Sequence, residues 1–247
     1  MRLPTALVVQ NSAGDEVARL GDWLREAGLL LDVLRPYQGH AVPATPDGYT
    51  AVIVLGGSMT AWDDEAAPWL PATRDLLRTA TARDVPVLGV CLGAQLLAAA
   101  LGGRVERGAD GPEIGPALVA KRDVAARDRL FGPVPFTPDV LQWHWDAITA
   151  LPPDATLLAS STRYPHQAFR VRERTWGVQF HIETTAEMVR DWGVEDAAAL
   201  AGIGIDVAAL LSRRDLDEVH ADLAEVWQPF AARFVEVARE AEYATRA

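Results

Sequence analysis

Val85-Pro86-Val87-Leu88-Gly89-Val90-Cys91-Leu92-Gly93-Ala94-Gln95-Leu96-Leu97 passes from an apolar, β-branched run straight into a helix-forming one, with a cysteine at the junction. The first half reads as a buried strand and the second as a helix. A strand that turns sharply into a helix strains the residue at the turn and lifts its side chain into the crevice beyond the strand ends. Gly89 and Gly93 give such a turn steric room. The helix behind it presents unpaired N–H groups and a positive partial charge. Because the thiolate is the reactive form of a cysteine, Cys91 is a candidate nucleophile. The alternative is a buried thiol serving as a small hydrophobe.

Working outward, short apolar runs alternate with helix-length amphipathic stretches. Ala6 to Val9 reads as a first strand, Asp15 to Ala27 as a helix, Leu29 to Leu34 as a second strand, and Ala51 to Leu55 as a third. Ala72 to Ala82 is a helix that Pro71 can start, and Val85 to Val90 is the fourth strand. This alternation predicts a three-layer α/β/α, doubly wound, flavodoxin-like, mostly parallel sheet, with its ligand site at the carboxyl ends of the strands. Gly56-Gly57 and Cys91 both fall there.

After Gly102-Gly103 the runs around Val105, Ala117 to Ala120, Val140 to Trp143, Leu157 to Ser160, Ala168 to Val171 and Trp176 to Phe180 are short and turn-bounded. They predict hairpins rather than further crossovers. Leu216, Val219, Leu223, Val226, Phe230, Phe234, Val237 and Ala241 recur in steps of three and four, the stripe of an amphipathic helix that Pro229 should kink or split. The division expected is a main domain over 1–190 and a C-terminal helical extension over 191–247 packed on it. The stripe's alternative use is a subunit interface, and so a homodimer.

The 247 residues, 49% hydrophobic, suffice for one full core. With 34 acidic against 23 basic residues the formal charge is -11, which argues against a nucleic-acid surface. One cysteine cannot form an internal disulfide. Met1-Arg2-Leu3-Pro4 leads into the first strand rather than into a signal-like segment, and no apolar stretch is long enough to span a bilayer. A soluble, cytoplasmic protein without membrane contact is the expectation.

A thiol nucleophile needs a base. Among five histidines, His181 ends the run Trp176-Gly177-Val178-Gln179-Phe180, where a strand would leave the sheet. Glu183 lies two residues on, and alternate side chains of an extended chain share a face. Glu183 can then accept a hydrogen bond from one ring nitrogen of His181 while the other faces the thiol, the logic of a catalytic triad. A structural ion pair at a strand end is the simpler reading of His-X-Glu alone. His40, His166 and His220 carry no motif and are expected at the surface or in hairpins.

Taken together, Gly56-Gly57-Ser58, Gly89 to Leu97 and Gly177-Val178-Gln179-Phe180-His181-Ile182-Glu183 resemble the signature blocks of class I glutamine amidotransferase domains. Within that family, the stretches Trp62-Asp63-Asp64-Glu65, Pro68-Trp69-Leu70, Leu101 to Val105, Glu113-Ile114-Gly115 and Trp143-His144-Trp145-Asp146 are similar to the stand-alone group related to the glutaminase domain of GMP synthase. The resemblance covers roughly Ala51 to Met188. It implies Cys91 as nucleophile on the glutamine side-chain amide, His181 as base and then acid, and Glu183 as orienting group. It further implies main-chain N–H groups of Gly57 and Leu92 as the oxyanion donors. Gln95, one helical turn after the nucleophile, matches the position that holds the substrate, and Gly56 and His144 fall in segments lining the glutamine pocket. Glycine at 57 lets the backbone approach a substrate closely.

The sequence departs from the family pattern at Ile182, where proline commonly stands between the histidine and the glutamate. The chain has no phosphate loop or synthetase region. Ammonia would be released or passed to a separate synthetase subunit. No metal or organic cofactor is implied. Two other functions fit the same residues: hydrolysis of γ-glutamyl peptides or γ-glutamyl amines, and a regulatory binding module that has lost turnover.

Overall fold

The computed structural model describes residues 4–246; Met1 to Leu3, read above as the lead-in to the first strand, lie outside them. The chain opens with β1 (Thr5–Val9), α1 (Ala18–Glu26), β2 (Leu30–Leu34), β3 (Ala51–Val54), α2 (Leu70–Ala82), β4 (Val87–Val90) and α3 (Leu92–Ala100). There follow β5 (Arg104–Arg107), β6 (Glu113–Leu118), β7 (Ala120–Lys121), β8 (Asp139–His144), β9 (Asp146–Ala150), β10 (Ala155–Ser160), β11 (Ala168–Val171) and β12 (Thr175–Val178). Four helices close the chain: α4 (Ala186–Glu195), α5 (Ala197–Ala201), α6 (Val207–Leu211) and α7 (Leu216–Arg246).

An eight-stranded sheet in the order β2-β1-β3-β4-β12-β11-β10-β7 forms the centre. The strands from β2 to β12 pair in parallel, and β11, β10 and β7 continue the sheet antiparallel. Alternate residues of each inner strand feed opposite faces, as the pleat requires. Ala6, Val8, Ala51 and Ile53 join one core with α1 and α7, whereas Leu7, Val9, Val52 and Val54 join the other with α2 and α3. Continuous Val, Ile and Leu runs suit strands buried on both faces. The mostly parallel three-layer expectation is met.

Three local expectations change. The run Trp176 to Phe180, expected in a hairpin, supplies β12, which does form a hairpin with β11 but also pairs in parallel with β4. That pairing brings the end of β12 beside Cys91. The first helix begins at Ala18 rather than Asp15, because the N–H of Arg19 is held by the carbonyl of Glu183 at 3.0 Å. This contact leaves Asp15 in a loop. Finally, Pro229 does not split α7, which runs unbroken through it. An interior proline costs about 3 kcal/mol, but Trp227, Phe230 and Phe234 beside it are fully buried and pack edge-on against Phe131 and Trp176. Burial of three aromatic side chains exceeds that cost.

The apolar stripe of α7 faces the protein's own core rather than solvent: Val219, Leu223, Phe230 and Phe234 are at most 1% exposed. The boundary expected at 190 falls within α4, and the helices that follow it pack into the same core as the sheet.

The glycines of the elbow have a firmer reason than room for a turn. A Cβ on Gly93 would lie 2.0 Å from the carbonyl oxygen of Val54, and one on Gly89 would lie 2.6 Å from that of Gly93. Both let α3 settle directly on the sheet. Gly93→Ala should therefore destabilise the fold by about 3 kcal/mol or more, because only backbone can move aside. The denaturant midpoint measures it, and an unchanged midpoint would contradict this packing.

Candidate active site

Loops after β1, β3, β4 and β12 converge at the carboxyl ends of the parallel strands, where ligands bind in open α/β sheets. Cys91 sits between β4 and α3 with φ 50° and ψ −109°. That left-handed φ is unfavourable for a residue with a Cβ and costs about 1–3 kcal/mol. The strain is held in place on both sides: the Cys91 N–H donates to Val178 of β12 at 2.8 Å, and its carbonyl accepts from Gln95 at 3.0 Å. The thiol is 5% exposed, 3.8 Å from the carbonyl oxygen of Trp143 and from Nε2 of Gln179.

His181 follows β12 and is fixed by reciprocal main-chain contacts with Leu141 of β8, its N–H donating at 2.8 Å. Its Nδ1 lies 2.6 Å from Oε1 of Glu183. Glu183 is completely buried, and its other oxygen accepts the N–H of Ile182 at 2.9 Å. The residue that departs from the family pattern thus has a use of its own. Proline would lack that donor, so isoleucine supplies a hydrogen bond that holds the carboxylate. The remaining ring nitrogen, Nε2 of His181, is buried with no hydrogen-bond partner among the described residues. Burial alone would push the imidazole's pKa down, but its interactions with Glu183 and with Cys91 prevail and raise it well above the ordinary value.

Gly57 and Leu92 are brought together. A Cβ on Gly57 would meet Met59 Sδ at 2.6 Å, Leu92 Cδ2 at 2.8 Å and Asn11 Cβ at 3.1 Å, so glycine is demanded here by the protein's own crowding. Leu92 opens α3, and its N–H is among the first-turn donors that no helical carbonyl can satisfy. Gln95 is 3% exposed and donates from Nε2 to the carbonyl of Asp146 at 3.1 Å and to Oε1 of Gln179 at 3.3 Å.

His144 does not offer its ring to a ligand. Nδ1 lies 2.8 Å from the carbonyl oxygen of Asp146 and Nε2 3.1 Å from Glu113 Oε2. Both nitrogens belong to a buried polar chain running through Glu113 and Gln167 to Gln142. Burial opposes ionisation of Glu113, yet the hydrogen bonds from His144 and its neighbours hold its pKa below the ordinary value. His220, expected at the surface, is 5% exposed and joins α7 to the active-site segment through Thr184 at 3.1 Å. His166 contacts the Ile148 carbonyl at 2.7 Å, and His40 is exposed.

Three residues escaped the sequence reading. Asp15 is 9% exposed and accepts a hydrogen bond from Ser12. Its Oδ1 and the Cε1 of His181 lie 2.5 and 3.1 Å from the point where a Cβ on Gly56 would sit. Gly56 therefore leaves room for a second carboxyl beside the imidazole. Trp192 of α4 packs its ring 4.8 Å from that of His181 and donates to the carbonyl of Gly14 at 3.1 Å. Arg107 of β5 stacks 4.4 Å over Trp145 and lies 3.7 Å from Asp146. Asp15 had a usable signal, an acid just past the carboxyl end of the first strand. Trp192 and Arg107 had none.

Cys91, Gln95, Arg107, Asp15, His181 and Trp192 all line one cavity of about 270 Å³. Among the described residues no three His, Cys, Asp or Glu side chains gather as for a metal ion, and no helix is long and apolar enough to cross a membrane.

Burial raises the pKa of Asp15; Glu183 adds to this, while Ser12 and His181 partly oppose it. The native carboxyl then keeps its proton where the unfolded chain, at an ordinary value of 3.8, has lost it. Stability from this group is present at low pH and falls as pH rises from 3.8 through the raised native value. Asp15→Asn should remove that fall and gain stability at about pH 8 relative to about pH 4. Urea midpoints at both values check it, and equal changes at the two would contradict the shift.

Residues 18–191 match the family described as glutamine amidotransferase class-I. Gamma-glutamyl peptidase 4 of Arabidopsis thaliana is 27% identical over 76% of this chain and 73% of its own length. The GMP synthase [glutamine-hydrolyzing] of Thermomicrobium roseum is 39% identical over 53% of this chain, a segment spanning only 23% of that synthase. The crystal structure of a glutamine amidotransferase from Thermotoga maritima superposes with a TM-score of 0.83 at 29% identity, covering 96% of this chain and 100% of that one.

Proposed function

The chain belongs to the class I glutamine amidotransferase family, and from that premise we propose that it hydrolyses a γ-glutamyl amide, glutamine included, through a thioester on Cys91. The observation that carries this reading is the unpartnered Nε2 of His181, buried in the same cavity as the thiol while Glu183 holds the opposite nitrogen.

In this mechanism the Cys91 sulfur attacks the side-chain carbonyl carbon and the developing oxyanion is received by the N–H groups of Gly57 and Leu92. His181 carries the thiol proton to the departing nitrogen. Water, deprotonated by His181, then attacks the thioester and releases glutamate. Glu183 holds the imidazole in the tautomer that presents Nε2. To the Gln95 amide and the Arg107 guanidinium, both on the cavity wall, we assign the glutamyl amino and carboxylate ends.

The likeness to the peptidase extends over most of both chains, which favours a γ-glutamyl group as the recognised part and leaves the amine variable. The likeness to GMP synthase covers a fraction of that protein, so a separate synthetase subunit receiving the ammonia is the second reading. Assay of the purified chain with glutamine tests both. Glutamate and ammonia formed in equal amounts without a partner support the free-standing enzyme; turnover only on adding a synthetase supports the second reading; absence of both contradicts glutamine hydrolysis.

A further inference from the structure

Two polar groups outside the triad reach the Cys91 sulfur at 3.8 Å: the main-chain carbonyl of Trp143 and Nε2 of Gln179. They suit opposite states of the sulfur. The carbonyl can only accept, so it suits the thiol, which has a proton to give. The amide N–H can only donate, so it suits the thiolate.

Which end of the Gln179 amide faces the sulfur is decided by a chain of contacts that starts on the backbone. The carbonyl oxygen of Asp146 accepts only, so the Gln95 atom 3.1 Å from it is the nitrogen. That nitrogen also lies 3.3 Å from the Gln179 amide, where it must meet the oxygen. Gln179 Nε2 is thereby turned toward Cys91. The start of the chain is itself held, since His144 Nδ1 lies 2.8 Å from the Asp146 carbonyl and Glu113 stands behind the ring. Gln179 is 1% exposed, and its main-chain N–H donates to the Gln167 carbonyl at 2.8 Å. Among the described residues, the Cys91 sulfur is the one hydrogen-bond partner of Gln179 Nε2. A buried amide nitrogen costs free energy when left without a partner, so this contact is part of how the segment after β12 is set.

Resting on the γ-glutamyl thioester reading above, we propose that Gln179 is a further catalytic residue, whose side-chain N–H holds the charge on the Cys91 sulfur before attack and again when the thioester breaks. His181 takes the thiol proton, and the Gln179 N–H faces the charge left behind. The sulfur–carbon bond forms and the carbon–nitrogen bond breaks, its electron pair staying on the nitrogen, which takes the proton from His181. Water then gives a proton to His181 and its oxygen bonds to the carbonyl carbon. The carbon–sulfur bond breaks with its electron pair on sulfur, and Gln179 meets that charge until His181 returns the proton.

The test uses Gln179→Met, which keeps the length of the side chain and removes the donor. Iodoacetamide, neutral and without a glutamyl group, reads the sulfur alone, whereas kcat/KM for glutamine reads the whole reaction. At about pH 7 both rates should fall by about tenfold to hundredfold, the range of a hydrogen bond to a charged group. The alkylation rate should return to that of the unaltered protein as pH rises, because a fully ionised thiol needs no donor to keep it so. Gln179→Glu keeps the acceptor for Gln95 but offers the sulfur an oxygen; it should slow both rates at least as much, and it decides the matter if the methionine variant does not fold. Alkylation at the unaltered rate in either folded variant, with or without loss of turnover, would overturn the proposal and leave the thioester chemistry standing. A loss of alkylation that stays constant at every pH would reduce Gln179 to packing and overturn it as well. No glutamyl adduct on Cys91 of the unaltered protein would instead remove the chemistry on which the proposal rests.

Discussion

Cys91→Ala is expected to lower hydrolysis of glutamine and other γ-glutamyl amides by about 10⁴-fold or more, with the fold retained. The size of the effect follows from what else lines the cavity. Cys91 is the chain's only cysteine, and the hydroxyl of Ser12 is already engaged with Asp15. Cys91 itself stands at the strand-to-helix elbow, directly before the first turn of α3. The side chain itself is small, so its loss removes little packing. The φ of 50° at this position gives a second readout: Cys91→Gly should be more stable than Cys91→Ala by about 1 kcal/mol, since glycine alone adopts that conformation without strain. Steady-state rates and denaturant midpoints measure the two effects. A Cys91→Ala protein with near-native turnover would remove the nucleophile from the account, and an alanine variant as stable as the glycine one would remove the strain.

The second large effect concerns the base. His181→Asn should reduce kcat and kcat/KM together by about 10³–10⁵-fold, because the proton transfers it performs occur in the transition state rather than in substrate binding. Glu183→Gln leaves the imidazole in place and is the finer probe. It should cost about 10³–10⁴-fold by releasing the ring from its tautomer, and it also carries a pH signature. Burial pushes the His181 pKa down, and the interactions with Glu183 and Cys91 more than reverse this. Removing the Glu183 charge lets burial weigh more heavily. The imidazolium is then lost at lower pH, and the alkaline limb of activity should move toward acid. A limb that stays in place, or one that moves toward alkali, would contradict the role given to Glu183. A change confined to KM in His181→Asn would contradict the role given to His181.

The elbow and the pair His181 and Glu183 were legible in the sequence because each depends on local order: a strand running into a helix, and two side chains separated by one residue on an extended chain. Ile182 could not be interpreted at that level. Its value lies in a main-chain N–H pointed at Glu183, which residue type alone does not announce. Asp15 was misplaced because the apolar spacing of Val17, Leu20 and Leu24 fits a helix starting earlier, whereas the true start is set by a distant carbonyl, that of Glu183, on Arg19. Trp192 lies just past the boundary drawn at 190, and no motif marks it as a neighbour of His181. Pro229 shows the same limit from the energetic side. The local cost of a proline is all that neighbouring residues reveal, and the aromatic packing around it includes Phe131, more than ninety positions away in sequence.

His144 lines the cavity with its ring held by the protein's own groups. The Trp143-His144-Trp145-Asp146 block suggested a substrate contact, but both ring nitrogens are taken by Asp146 and Glu113. The block shapes the cavity through its neighbours instead: the Trp143 carbonyl lies near the thiol, the Asp146 carbonyl holds Gln95, and Trp145 supports Arg107. Two of these three contacts are made by main-chain carbonyls and the third by the Trp145 ring.

The central claim is that a γ-glutamyl group rests covalently on Cys91 during turnover. Acid quenching of the enzyme within the first turnovers on glutamine, followed by peptide mass spectrometry, tests it directly. The account predicts one added glutamyl group on the peptide containing Cys91, absent from Cys91→Ala and increased in any variant slowed only in the water step. Steady release of glutamate with no adduct on that peptide, or with the adduct on another residue, would contradict it.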